Sequence, residues 1–200
     1  MFTKKDFYFS IATGLITGFS AWRIFEYLDI SAFEGYSFAW FLLVVPVLWI
    51  IGVNLGYFLG KWLVFFNQFG KFSAIGFTNA AVDFGVLNLL IANTDISSGG
   101  WYSVFKATSF VVAVIPSYFW NKHWAFEAKD GGGGFEFAKF VSVAVVAILV
   151  NTGMASFVVN YVDPLGGLTP QVWANVGAIA GSAVALIFSF VGFKVAVFRK

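Results

Sequence analysis

The sequence predicts an all-α integral membrane protein with six transmembrane helices, and three observations carry that prediction. Hydrophobic residues make up 60% of the 200 positions and charged residues 11%, with a mean hydropathy of +0.83, outside the balance of a water-soluble domain. Six stretches, roughly 7–28, 38–60, 71–92, 102–121, 138–160 and 173–195, each supply the about 20 mostly apolar residues that a helix needs to cross the hydrocarbon. Runs such as 140–150 (FVSVAVVAILV) are apolar on every face, whereas the strand of a membrane barrel would alternate polar and apolar residues.

The first stretch follows Lys4 and Lys5 as a secretory leader would, but Phe19 breaks the small-x-small cleavage pattern ahead of Trp22 and the apolar region continues. It is therefore expected to be retained. Near its far end Arg23 and Glu26 lie three apart on one helix face, the spacing of an ion pair. With the second stretch it forms an N-terminal hairpin, residues 1–65, ahead of a four-helix core, residues 66–200. The third helix opens at Lys71-Phe72 and carries Asn79, Asp83 and Asn88. Turn chemistry at Ser97-Ser98-Gly99-Gly100 leads into the fourth, which carries Lys106 and Pro116 and closes in SYFWNKHWAFE, residues 117–127. Four glycines in KDGGGGF, 129–135, predict a compliant linker that interrupts any helix. The fifth helix opens at Lys139-Phe140 and carries Asn151; the sixth follows the turn Asp163-Pro164-Leu165-Gly166-Gly167.

Charge sets the orientation. Lys4, Lys5, Lys61, Lys71, Lys122, Lys129, Lys139, Arg199 and Lys200 all fall on one side of the six-helix arrangement, while Asp29, Glu34, Asp95 and Asp163 fall on the other. Short cationic loops stay in the cytoplasm, so both termini are expected there, and the membrane is the inner one if the source is bacterial. The net charge of +2 is this asymmetry and not a nucleic-acid surface, because the cations sit at helix ends. With no cysteine and one histidine, neither thiolate chemistry nor a transition-metal site is expected, and no cofactor is implied.

The core reads as a duplication. Lys71-Phe72 followed after ten residues by Asp83-x-Gly85 matches Lys139-Phe140 followed by Asn151-x-Gly153. Shifted by 72 positions, Trp101, Val112, Ala113, Ile115, Ser117, Lys122 and Phe126 fall on Trp173, Val184, Ala185, Ile187, Ser189, Lys194 and Phe198. The repeats, about 69–127 and 137–199, start on the same side, and parallel repeats enclose a site between them. By the helical rise, Asp83 lies about 18 Å from Lys71, in mid-membrane, and Lys106 about 24 Å from Lys122. Asp83 and Lys106, with Asn79 and Asn151, form a candidate intramembrane polar site, an ionisable group there being costly. Three readings stay open: a pair that changes state during transport, a neutralised packing pair with asparagines as interhelical glue, and no pairing of the two.

The same duality applies to 117–127. Trp120 and Trp124 suit an interfacial belt and Lys122 can reach the head groups. As a set, however, Lys71, Lys122, Lys139 and Lys194 stand at four helix ends on one face with His123 and Arg199 nearby, and such a group of cations suits a phosphate. Ordinary positive-inside topology is the competing reading.

Phe72, Gly76, Asn79 and Asp83, followed by Asn121, Lys122, Trp124 and Phe126, resemble the GtrA-like family of small four-helix membrane proteins, whose second helix ends Asn-[Arg/Lys]-x-Trp-x-Phe. The resemblance covers about residues 66–200 and is weaker in the second half. It implies a non-catalytic protein of cell-surface polysaccharide synthesis that moves a polyprenyl-phosphate-linked sugar, glucose foremost, from the cytoplasmic to the outer leaflet. The phosphate would meet Asn121, Lys122, His123, Lys71, Lys139 and Lys194. The hairpin 1–65 has no counterpart in that pattern and could dock a membrane glycosyltransferase. Besides membrane lipids, a second copy of the chain is a further candidate partner. No nucleophile–base pair is evident, and Gly131–Gly134 lacks the Lys-Ser/Thr of a phosphate-binding loop. An ion-coupled small-molecule exporter using Asp83 and a non-transporting accessory subunit of a glycosyltransferase remain open beside the flippase.

Overall fold

The computed structural model describes residues 2–30, 35–127 and 133–192. Lys194, Arg199 and Lys200, Glu34, and residues 129–132 of the glycine linker lie outside them. Within the described residues the chain forms six α-helices: α1 Lys4–Tyr27, α2 Phe41–Leu59, α3 Phe65–Thr94, α4 Gly99–Trp120, α5 Gly133–Tyr161 and α6 Pro170–Gly192. A 3₁₀ turn, Phe38–Trp40, leads into α2, and a π-helical turn, Asn121–Ala125, extends α4. Each element covers one expected stretch, and the boundaries differ where local chemistry decides them. Helix α3 starts six residues ahead of the Lys71 expected from the apolar run, because Phe65 to Gly70 continue the helical turn with aromatic residues. Helix α5 already begins at Gly133, so two of the four glycines are helical rather than linker.

Among the described residues, four segments are long and apolar enough to cross a membrane: Phe38–Leu59, Phe65–Thr94, Gly99–Ala125 and Ala138–Tyr161. Helices α1 and α6, of 24 and 23 residues, have the length but lie outside that set. Large apolar side chains face outward, Leu43 at 76% exposure and Leu149 at 67% among them, as lipid-facing residues do. The chain is a membrane protein.

Two compact units divide it. The first comprises Met1–Gly85 and Ile115–Ala128, the second Val86–Val114 and Lys129–Lys200. In the first unit α1 is capped by Thr3, whose hydroxyl accepts the Asp6 N–H while the Asp6 carboxylate accepts the Thr3 N–H. Gly14 and Gly18, one turn apart, let α1 approach the backbone of Pro46 and Phe41; a Cβ at Gly14 would stand 2.5 Å from Pro46 Cα. Helix α1 meets α3 through hydroxyls, Thr17 and Thr78 being 3.0 Å apart. Val53, Ala74, Ile75, Trp124 and Ala125 form the buried apolar cluster, with Phe9, Trp49 and Tyr57 against it.

The second unit is held by close backbone contact and amides. Gly177 and Gly181 on α6 face Val159, Ala155 and the Asn151 carbonyl on α5, with no room for a side chain. Asn88 and Asn175 exchange two hydrogen bonds of 2.7 and 2.8 Å. Tyr102 donates to the Ala174 carbonyl at 2.8 Å, and Ser103 and Ser156 are 2.7 Å apart. At the turns that sequence chemistry marked, Gly99, Gly166 and Gly167 adopt positive φ, which only glycine enters freely.

Candidate functional site

The motif at 121–126 is the π-helical turn itself. A π-turn inserts one residue relative to an α-helix and re-aims the side chains that follow, and such turns are frequent at functional sites. Here Asn121, Trp124 and Ala125 point inward and are buried, Lys122 is half-buried and His123 is exposed. Asn121 donates through Nδ2 to the Ser117 carbonyl at 2.9 Å and hydroxyl at 3.2 Å, and its buried Oδ1 accepts no hydrogen bond from the protein. Lys122 Nζ lies 3.5 Å from the Tyr118 hydroxyl and 5.7 Å from its ring centre.

Trp124, fully buried, connects the motif to a charged cluster. Its Nε1 donates to Asp6 Oδ1 at 3.0 Å. Lys71 Nζ reaches the same oxygen at 2.9 Å and Glu127 Oε1 at 3.0 Å. The other Asp6 oxygen accepts the Thr3 hydroxyl at 2.7 Å, the Thr3 N–H at 2.8 Å and the Tyr57 hydroxyl at 3.2 Å. Lys71 also stands 5.5 Å from the Tyr57 ring centre, a cation–π distance.

Asp6 lies one residue before the apolar stretch of α1. Burial alone would raise its pKa, but the hydrogen bonds from Lys71, Thr3 and Trp124 outweigh burial and hold the carboxyl at about 2. It stays ionised throughout the physiological range. A buried charge is tolerated when paired and fully hydrogen-bonded, and Asp6 meets both conditions.

Lys71, expected as an open cation of a lysine-lined mouth, is 4% exposed and shared between two carboxylates. Its neutralisation comes from an acid in the N-terminal hairpin, which the sequence reading had set apart from the core. Lys139 is half-buried, and Lys194 lies outside the described residues. Asp83 is 2% exposed and Lys106 fully buried, with Nζ 6.0 Å from the Phe110 ring centre. Asn79 is half-buried. Asn151 is 1% exposed and donates to the Ser182 hydroxyl at 3.3 Å. Arg23 and Glu26 form the ion pair their spacing suggested. Among the described residues no His, Cys, Asp or Glu cluster is arranged to hold a metal ion.

Asp6, Tyr57 and Glu127 were missed by sequence reasoning. One signal was present: Thr3-x-x-Asp6 has the form of a helix-start capping pair, placing an acid at the first turn between the lysines and the apolar run. Nothing in a single sequence marks Tyr57 or Glu127 as partners of Lys71.

A family model described as "GtrA/DPMS, transmembrane domain" matches residues 71–198. The chain is 28% identical over 115 residues to an uncharacterized membrane protein, YngA, of Bacillus subtilis (strain 168); the alignment spans 53% of this chain and 74% of that protein. No solved structure matches the chain. The family match begins at Lys71 and takes in Asn121, Lys122 and Trp124, so Asp6 and Tyr57 lie outside it.

Proposed function

Because the chain belongs to the GtrA/DPMS transmembrane-domain family, which is linked to the flipping of polyprenol-linked sugar phosphates, we propose that it translocates a polyprenyl-phosphate-linked monosaccharide across a bacterial inner membrane. The sugar on this reading is glucose, moved from the cytoplasmic to the outer leaflet for cell-surface polysaccharide synthesis, with both termini cytoplasmic. The observation that carries the proposal is the π-helical turn. It presents Lys122 and His123 outward from a segment whose Asn121 and Trp124 are buried, and Trp124 reaches the acid that pairs with Lys71. A phosphodiester head group carries a delocalised negative charge, and lysines at head-group depth attract it as point charges.

The protein does no covalent chemistry in this mechanism. Its work is to lower the cost of taking a charged, hydrated head group through hydrocarbon, a cost that falls when fixed polar groups replace lost water. The buried Oδ1 of Asn121 is a group able to do so. Without a nucleotide-binding loop the movement runs downhill, drawn by consumption of the lipid outside, or is coupled to an ion. Burial of Asp83 and Lys106 supports the second reading, an ion-coupled exporter, in which Asp83 carries the proton.

Proteoliposomes containing labelled polyprenyl-phosphate-glucose separate these readings. Protein-dependent exposure of the lipid to an outside reagent, lost in Lys122→Ala, is the expected result. Proton-linked exchange of soluble cations that survives Lys122→Ala but not Asp83→Asn favours the exporter. Neither activity, with a glycosyltransferase lost from the membrane on deletion of residues 1–65, leaves an accessory subunit.

A further inference from the structure

We propose that Glu127 is an internal stand-in for the phosphate: its carboxylate occupies the accessible side of Lys71, and the anionic lipid head group takes its place on binding. The inference rests on the polyprenyl-phosphate reading and adds the step that opens the site.

Lys71 is shared between two carboxylates of opposite character. Asp6 is fully buried, takes hydrogen bonds from Thr3, Tyr57, Trp124 and Lys71, and belongs to the cap of α1. Removing it from Lys71 means dismantling that cap. Glu127 is 59% exposed at its side chain and reaches Lys71 from the residue that follows the π-turn and its cap. An ion pair with one partner so exposed is weak and exchangeable.

The backbone supports the same assignment. Glu127 adopts φ +45, a left-handed conformation uncommon for a residue with a Cβ. The chain accepts that conformation where it turns the carboxylate onto Lys71, as expected of a position built to hold an anion there.

Burial decides which carboxylate is replaced, Asp6 being enclosed and Glu127 exposed, and the exchange conserves charge. One lysine and two carboxylates sum to one negative charge. A polyprenyl phosphodiester also carries one, so exchange with Glu127 leaves the charge of the buried cluster unchanged while Asp6 stays in place. The incoming oxygen can accept from Nζ at the ordinary charge-assisted distance of about 2.8 Å. Lys122 and His123, five and four residues before Glu127 and unlike it cationic or able to become so, border the same turn. A released Glu127 is then free to swing toward solvent.

The test uses the full-length protein in detergent, titrated with undecaprenyl phosphate and, as a neutral control, undecaprenol, and read by native mass spectrometry. In parallel, carbodiimide labelling of Glu127 is measured with and without each lipid. Glu127→Gln is expected to bind undecaprenyl phosphate about two- to fivefold more tightly than the parent, the range set by a half-exposed ion pair. Undecaprenol binding should not change, the gain should shrink in high salt, and labelling of Glu127 in the parent should rise when the phosphate lipid is added. If the parent binds the phosphate lipid but Glu127→Gln binds no more tightly and labelling is unmoved, the stand-in is overturned and the lipid-phosphate reading survives. If neither protein prefers the phosphate lipid over undecaprenol, the lipid-phosphate reading falls and the stand-in falls with it.

Discussion

The two compact units each bury a polar core, and the cores are built on opposite principles. In the first, the groups are ionic: Asp6 and Lys71 are almost completely enclosed, Trp124 and Tyr57 complete the hydrogen bonding, and the half-exposed Glu127 reaches in from outside. In the second, the hydrogen-bonded pairs are neutral, Asn88 with Asn175, Asn151 with Ser182, Ser103 with Ser156, and Tyr102 on a backbone carbonyl, and the fully buried Lys106 belongs to the same unit. Neutral amide pairs between apolar helices fix register and contribute about 0.6 kcal/mol each. An enclosed ion pair is different, because removal of either partner leaves a charge with nowhere to go. The same fold therefore carries one polar core held by neutral pairs and one built on an ion pair with an exposed second acid. Lys71 and Lys139, 68 positions apart in the two repeats, fall on either side of this division: Lys71 meets its acid in the first unit, and Lys139 is half-buried in the second.

The largest difference is expected from Asp6→Ala. It leaves the buried Lys71 ammonium relying on the exposed Glu127, and unfolding in detergent should lose about 3 kcal/mol. Asp6→Asn should lose less, because its amide oxygen can still accept from Trp124 and Lys71, although the Nδ2 in place of the other oxygen no longer accepts from Thr3 and Tyr57. Next comes Gly181→Leu, whose side chain meets the Asn151 carbonyl and Ala155 Cβ; about 1 to 3 kcal/mol should be lost, with no change in lipid-phosphate affinity. Asn88→Ala leaves Asn175 with half of its pairing, and its cost of about 1 kcal/mol should be insensitive to salt. A further effect, comparable with that of Gly181→Leu, is that of pH. Asp6 has a folded pKa of about 2 against an ordinary 3.8, so its stabilising contribution is complete above the ordinary value and fades as pH falls through the folded one. Stability should show that acid limb in the parent and lose it in Asp6→Asn. Equal acid limbs in the two proteins would remove the ionic core from the account.

Much of the fold was legible in the sequence because membrane helices are specified by composition over about 20 residues. The six apolar stretches became six helices, and Gly99, Gly166 and Gly167 turned where turn chemistry placed them. The site was less legible. Asn121, Lys122 and Trp124 stood out by their motif, yet the π-turn that sends Trp124 inward and His123 outward depends on packing against Phe9 and the buried cluster. Lys71 was visible as a cation at a helix start, but its partner sits 65 positions earlier, and one sequence contains no record of which helices touch. Asn88 was recognisable as interhelical glue; its reciprocal partner Asn175 was not, for the same reason.

The most direct test measures transbilayer movement of labelled polyprenyl-phosphate-glucose in proteoliposomes carrying the parent, Lys122→Ala or Asn88→Ala at matched protein density. The account predicts that the parent accelerates movement over empty liposomes, that Lys122→Ala falls to the empty-liposome rate, and that Asn88→Ala keeps most of the parent rate despite its lower stability. Equal rates for the parent and Lys122→Ala, or loss confined to Asn88→Ala, would contradict it.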